Sequence, residues 1–242
     1  MSWLRWLLIA NHGYYCIKST GKDNSSSNNI VGTAKYDVNI GPGKGNCNYE
    51  TVLPIGFASL GPKVFSDSAA CGQCLEVKHK NHGQKLKVMV MDICVGCAAN
   101  DMMLDYNTYT QLGDTLKGSM PVEWNMITCP TKGSVKYQFF PNSSRYWFGI
   151  GIRNAAIPVV KLEIFGDFGW TTIPRSNFNY FILSDPGPGP YKLRATSKFG
   201  ESIVEDNVPL LNGTLHEGKA QFRNGTLDSA ATYDSLLESD MD

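Results

Sequence analysis

Residues 88–113 read VMVMDICVGCAANDMMLDYNTYTQLG. An apolar run ends in Asp92, a CxxC loop follows, and a second apolar run ends in Asp105. Leu86–Met91 is strand-like, rich in Val and Met and bounded by polar residues. A short helix is expected at 107–112, with Asn107 as N-cap and Gly113 as stop. Two carboxylates at the ends of neighbouring runs suit a glycosidase, which needs a proton-donating acid and a second carboxylate. Asp105 lies between Leu104 and Tyr106, an apolar setting of the kind that favours a protonated carboxyl. The commoner job of an Asp at such a place is to cap a turn, and spacing alone does not separate the two roles.

Outward from this stretch, residues 31–130 contain many short runs, Leu75–His79 among them, separated by Gly, Pro, Asn and Asp. Many short strands in about 100 residues indicate a compact β-barrel. CPTKGS at 129–134 reads as a boundary, because beyond it cysteines stop and alternation becomes cleaner. Tyr146, Phe148, Ile150 and Ile152 fall on one strand face, and Arg145, Trp147, Gly149, Gly151 and Arg153 on the other. Residues 131–223 are therefore expected to form a second all-β domain, a sandwich. Trp147 stands on the flat, polar face, where an indole either stacks on a pyranose or covers a domain interface. Residues 1–30 read as a degenerate signal peptide or flexible N-terminal linker, and 224–242 as an acidic tail.

The chain has 242 residues, and its 22 basic and 22 acidic side chains cancel, which gives no support for a nucleic-acid partner. No run is long and apolar enough to suggest a membrane span. Residues 131–223 nevertheless carry 11 Lys/Arg against 7 Asp/Glu, a surplus of four. Arg145 and Arg153, beside Trp147, make that face a candidate for acidic matrix polysaccharides. Cys71 and Cys74, followed by Cys94 and Cys97, match a four-thiolate zinc spacing. Against zinc, Cys47 and Cys129 complete an even set of six, and four glycosylation acceptors, Asn24, Asn142, Asn212 and Asn224, point to an oxidising secretory route. Disulfides and no metal are the expectation.

Taken together, GKGNCNY (43–49), DSAACGQCLEV (67–77), VMDICVGC (90–97) and LDYNTYTQLG (104–113) resemble microbial expansins. So do SSRYWFGIGIRNAAIPVVKLEI (143–164) and GWTTIPRSNFNYF (169–181). The resemblance implies a six-stranded double-psi β-barrel, shared with family-45 endoglucanases and barwin-like proteins, followed by an immunoglobulin-like β-sandwich that binds cellulose. It implies that Asp105 is the essential acid, that Asp92 is its groove neighbour, and that Tyr36 is the aromatic of the first barrel strand. It further implies that Tyr146, Trp147 and Phe178 form an in-line binding platform. The implied disulfides pair Cys47 with Cys71, Cys74 with Cys129 and Cys94 with Cys97. The chain departs from the pattern where a groove threonine is replaced by Lys35. Tyr36, Lys35 and Asp37 are the groove candidates of the first strand, although Asp37 lies one residue after the aromatic, where the hydrolytic relatives carry their base two after it, and such a shift should turn it away from the groove unless a bulge brings it back. The implied protein is a secreted monomer without cofactor that binds wall glucans and loosens walls without hydrolysis. A family-45-like endoglucanase and a non-catalytic wall-binding matrix protein are the alternatives.

Overall fold

A computed structural model describes residues 29–223. The N-terminal stretch before residue 29, the acidic tail, Asn24 and Asn224 lie outside the described residues. Six strands close into a barrel: β1 (Ile30–Asp37), β2 (Gly56–Leu60), β3 (Cys74–His79), β4 (Lys85–Ile93), β5 (Met102–Asp105) and β6 (Met120–Ile127), in the order β1-β5-β2-β4-β3-β6. β1 runs parallel to β5 and β2 parallel to β4, so the chain crosses over itself twice, the double-psi arrangement. Leu75, Val90, Leu104 and Trp124 fill the interior with almost no exposure. Each such side chain contributes about 1.5–3 kcal/mol by leaving water. Two short helices lie outside, α1 (Pro62–Phe65) and α2 (Tyr106–Leu112).

The α2 helix is capped two residues earlier than expected. Its N-cap is Asp105, whose Oδ1 accepts from the Thr108 N–H at 3.1 Å. Asn107 sits inside the first turn instead. Gly113 does end the helix, in extended backbone, with its N–H on the Tyr109 carbonyl.

Among the described residues three disulfides form, Cys47–Cys71, Cys74–Cys129 and Cys94–Cys97. All six thiols of the zinc-like spacing and its neighbours are thus tied in bonds. The first staples the loop after β1 to the turn before β3, and the second joins β3 to the end of the barrel.

Beyond residue 135 two four-stranded sheets pack face to face. One contains β7 (Lys136–Phe139), β8 (Trp147–Arg153), β11 (Phe181–Ser184) and β14 (Leu215–Glu217), in the order β11-β8-β7-β14. The other contains β9 (Val159–Gly166), β10 (Gly169–Ile173), β12 (Tyr191–Ser197) and β13 (Ser202–Val208), in the order β10-β9-β12-β13. Phe148, Ile150 and Ile152 point between the sheets, as alternation requires, against Phe139, Leu162 and Leu193. Tyr146 does not join them. β8 starts at Trp147, and Tyr146 precedes it at 68% exposure. The period-two reading fails there because the strand has not begun.

Candidate polysaccharide-binding surface

Register places the groove residues. Asp37 pairs with Asp105 and Lys35 with Met103 across β1 and β5. Ser59 of β2 pairs with Met103 on one side and with Asp92 on the other. Side-by-side partners in a sheet share a face, so Lys35, Asp37 and Asp105 lie on one side of the barrel, and a register shift at Ala58/Ser59 brings Asp92 to the same side next to the buried Ser59. Asp37 therefore does not turn away from the groove, contrary to expectation. Its parallel partner is Asp105 itself. Tyr36 is the residue that turns away. It takes the opposite face of β1 and packs on Tyr106 and Tyr109 at 5.3 and 5.2 Å.

Backbone donors hold each carboxylate. Asp105 Oδ2 accepts from the Phe57 N–H at 2.7 Å and from the Thr108 hydroxyl. Its setting is polar, not the apolar one its sequence neighbours suggest, because Leu104 is buried inside the barrel and Tyr106 is exposed. Asp92 Oδ1 accepts from the Asn46 and Ile93 N–H groups, both at 2.8 Å. Asp37 accepts from the Asn39 N–H in its own turn. Gly45 makes the Asp92 contact possible. Its φ is +79°, and a Cβ there would sit 2.8 Å from the Asp92 carboxyl carbon.

The platform lies on the outward face of the β8 sheet. Trp147 meets Phe140 edge to face at 5.9 Å, Phe140 meets Tyr180 at 5.1 Å, and Tyr180 meets Phe178 at 6.0 Å. Edge-to-face contacts of this kind fix ring orientation. Trp147, Phe140 and Tyr180 surround Gly149, where a Cβ would crowd the Phe140 Cβ at 3.2 Å and touch the other two rings. Trp147 and Phe178 are half-buried and Tyr146 is exposed, with the Arg145 guanidinium 5.5 Å from its ring centre. Phe140 is a member of the row that sequence reading missed. It follows β7 by one residue and continues the outward face of Lys136 and Gln138, so the same alternation could have found it.

Groove and platform join through the loop 43–49. Asn46 sits on Asp92, and two residues later Asn48 Nδ2 donates to the Phe178 carbonyl at 2.9 Å. Arg153 backs this joint. It is on the Trp147 face as alternation requires, but it is 7% exposed and not a free cation for acidic polysaccharide. Its guanidinium lies over Tyr49 of the barrel at 4.8 Å and Tyr180 of the sandwich at 5.0 Å. It donates to Gln138 Oε1 at 2.7 Å and to the Asn48 carbonyl at 3.1 Å. Arg175 adds bonds to Ser68 and Asn179, and Asn179 donates to the Cys47 carbonyl at 2.9 Å. Burial, with Arg153 nearby as a lesser cause, pushes Arg175 down to about 10, which leaves it charged at neutral pH. Of the expected basic pair, only Arg145 faces solvent. Asn142 and Asn212 lie in exposed loops, the Asn142 N–H donating to Asn212 Oδ1. Among the described residues no helix is long and apolar enough to cross a membrane.

No protein-family model matches the chain. Expansin-like protein 1 of Dictyostelium discoideum is 27% identical over 210 residues, covering 81% of this chain and 73% of that protein. Expansin-YoaJ of Bacillus subtilis is 30% identical over 144 residues, covering 60% of this chain and 61% of that protein. The crystal structure of an apo expansin from Clavibacter michiganensis superposes with a TM-score of 0.74 at 25% identity, covering 81% of this chain and 98% of that one. A point mutant of the same bacterial expansin, solved in complex with cellohexaose, superposes with a TM-score of 0.73.

Proposed function

The chain is an expansin-like protein, and on that premise we propose that it binds cellulose and other wall glucans and loosens cell walls without hydrolysing them. One observation carries the reading. The loop 43–49 is bonded to Asp92 at one point and to Phe178 at another, so groove and platform form one surface for one glucan chain. The bacterial expansin of the same fold was solved with cellohexaose, a linear glucan. On this chain the glucose rings stack on Tyr146, Trp147 and Phe178, and the next sugars cross the barrel over Asp92 and Asp105. Non-hydrolytic action is supported by how the acids are used. Asp37, Asp92 and Asp105 each bind backbone N–H groups, which suits them to grip hydroxyls in place rather than to activate water. Such a protein works outside the cell, in keeping with its disulfides.

The pairing of Asp37 with Asp105 favours a second reading, an endoglucanase. Partners on adjacent parallel strands have their backbones about 5 Å apart, which brings two carboxylates to one site, as a glycosidase requires. A wall-creep assay and a reducing-sugar assay on the same sample separate the readings. Creep without sugar release is expected. Sugar release from soluble glucan that disappears in Asp37→Asn would establish hydrolysis instead.

A further inference from the structure

We propose a second sugar site beside the platform: a cleft between the domains that takes a single neutral sugar branching from a stacked glucan chain. The proposal rests on the glucan reading of the platform. The cleft holds about 190 Å³. Its barrel wall includes Glu50 and Thr51, its sandwich wall Lys136 and Gln138 of β7 and Leu215 of β14, and Thr131 closes it between the domains.

Position argues for a branch. Lys136, Gln138 and Phe140 alternate along one outward face, and Phe140 belongs to the aromatic row. Two residues of strand, about 7 Å, therefore separate Gln138 from the rings. The row itself leads over β8 to Phe178 and the loop 43–49. The cleft opens on the other side, over β7 and β14. A glucan backbone passing from platform to groove goes by it, and only a group projecting sideways from that backbone enters.

Chemistry argues for a neutral sugar. Glu50 stands against Lys136 and the Arg153 guanidinium, which also lines the cleft, so a branch of either sign meets like charge on one side. Lys136 is moreover 3.8 Å from Glu217. Gln138 Oε1 is occupied by Arg153, which leaves its amide N–H groups to donate. The threonine hydroxyls both donate and accept, as sugar hydroxyls require. Leu215, 49% exposed, offers an apolar wall to a C–H face.

The test measures binding of two β-1,4-glucose hexamers by calorimetry, one linear and one bearing single xylosyl branches. Wild-type protein should bind the branched hexamer about three- to tenfold more tightly, the value of one or two added hydrogen bonds. Leu215→Trp fills the cleft from the sandwich and Thr51→Trp from the barrel. Both positions are solvent-facing, and melting curves confirm each fold. Each variant should abolish the preference and hold linear-hexamer affinity within about twofold. Equal binding of the two hexamers by wild type, or a preference that survives in both folded variants, overturns the branch site alone. A wild-type protein that binds neither hexamer overturns the platform reading together with it.

Discussion

The groove and the platform hold their side chains by opposite means. Groove carboxylates are pinned by directional bonds to backbone N–H groups, each within 3.1 Å. The Trp147, Phe140 and Tyr180 rings are held mainly by packing against one another and over a glycine, with the Arg153 guanidinium behind Tyr180. A hydrogen bond sets position sharply and is lost outright when its acceptor is removed. A ring contributes through area and tolerates small shifts. Substitutions on the platform should therefore separate binding from folding, and substitutions in the groove should entangle them.

The largest effect is expected where that separation is cleanest. Trp147→Ala removes a ring that faces outward, so no cavity opens in the sandwich core. By analogy with stacking on other flat rings the loss is about 1–3 kcal/mol, roughly 5- to 150-fold in affinity. Depletion isotherms on insoluble cellulose should show it, with a melting temperature lowered by less than about 3 °C. Binding that persists within about twofold would remove Trp147 from the platform.

Arg153→Met attacks the joint between the two regions. The substitution keeps apolar bulk between Tyr49 and Tyr180 but leaves the Asn48 carbonyl and Gln138 Oε1 without their donor. An unsatisfied buried acceptor costs about 1–3 kcal/mol, so stability to urea should fall by that order. Binding to short gluco-oligosaccharides should survive better than binding to long ones, because only a long chain needs groove and platform in line. Equal loss for both lengths would mean that the joint serves folding alone.

Asp105 shows the entanglement in the groove. Asp105→Ala loses a helix cap as well as a groove carboxylate, and the cap alone is worth about 1 kcal/mol. Asp105→Ser keeps a capping oxygen and discards the carboxylate. The Ser variant should melt nearer to wild type than the Ala variant does, yet both should lose wall creep. Creep retained in the Ser variant would show that the cap was the only contribution of Asp105.

Local pattern made some of this visible and hid the rest. Alternation from Phe148 to Arg153 put the right residues on each face, because β8 is regular there. It misplaced Tyr146, since nothing in the residue types says that the strand begins at Trp147. It called Arg153 a surface cation, because its cover, Tyr49, is 104 positions away in the chain and belongs to the other domain. The helix after Asp105 was expected, but Asp and Asn cap equally well, and only the end of β5 decides between Asp105 and Asn107. The position of Asp37 beside Asp105 depends on a parallel pairing of strands that are distant in sequence. The disulfide pairing came from family resemblance, since six cysteines allow fifteen connectivities.

The smallest effect concerns the outward face of the opposite sheet, where an arginine has a carboxylate as its hydrogen-bond partner in place of the carbonyl and amide oxygens around Arg153. Arg194 pairs with both oxygens of Glu163 at 2.7 and 2.8 Å and lies 4.3 Å from the Trp170 ring centre. The Arg194 hydrogen bonds pull Glu163 down from 4.5 to about 2; burial opposes them, and Lys161 assists. A carboxyl whose folded value lies below its unfolded one stabilises the fold above the unfolded value and loses that contribution as pH falls through the folded one. Glu163→Gln keeps the shape of the side chain and removes its titration. The melting-temperature advantage of wild type over this variant should stay level from neutral pH down to about 4.5 and then shrink toward about pH 2. Arg153 has no carboxylate among its hydrogen-bond partners, so the deficit of Arg153→Met should not follow that curve. An advantage over Glu163→Gln that stays constant through the acid range would mean that packing under Trp170, not charge, holds Arg194 in place.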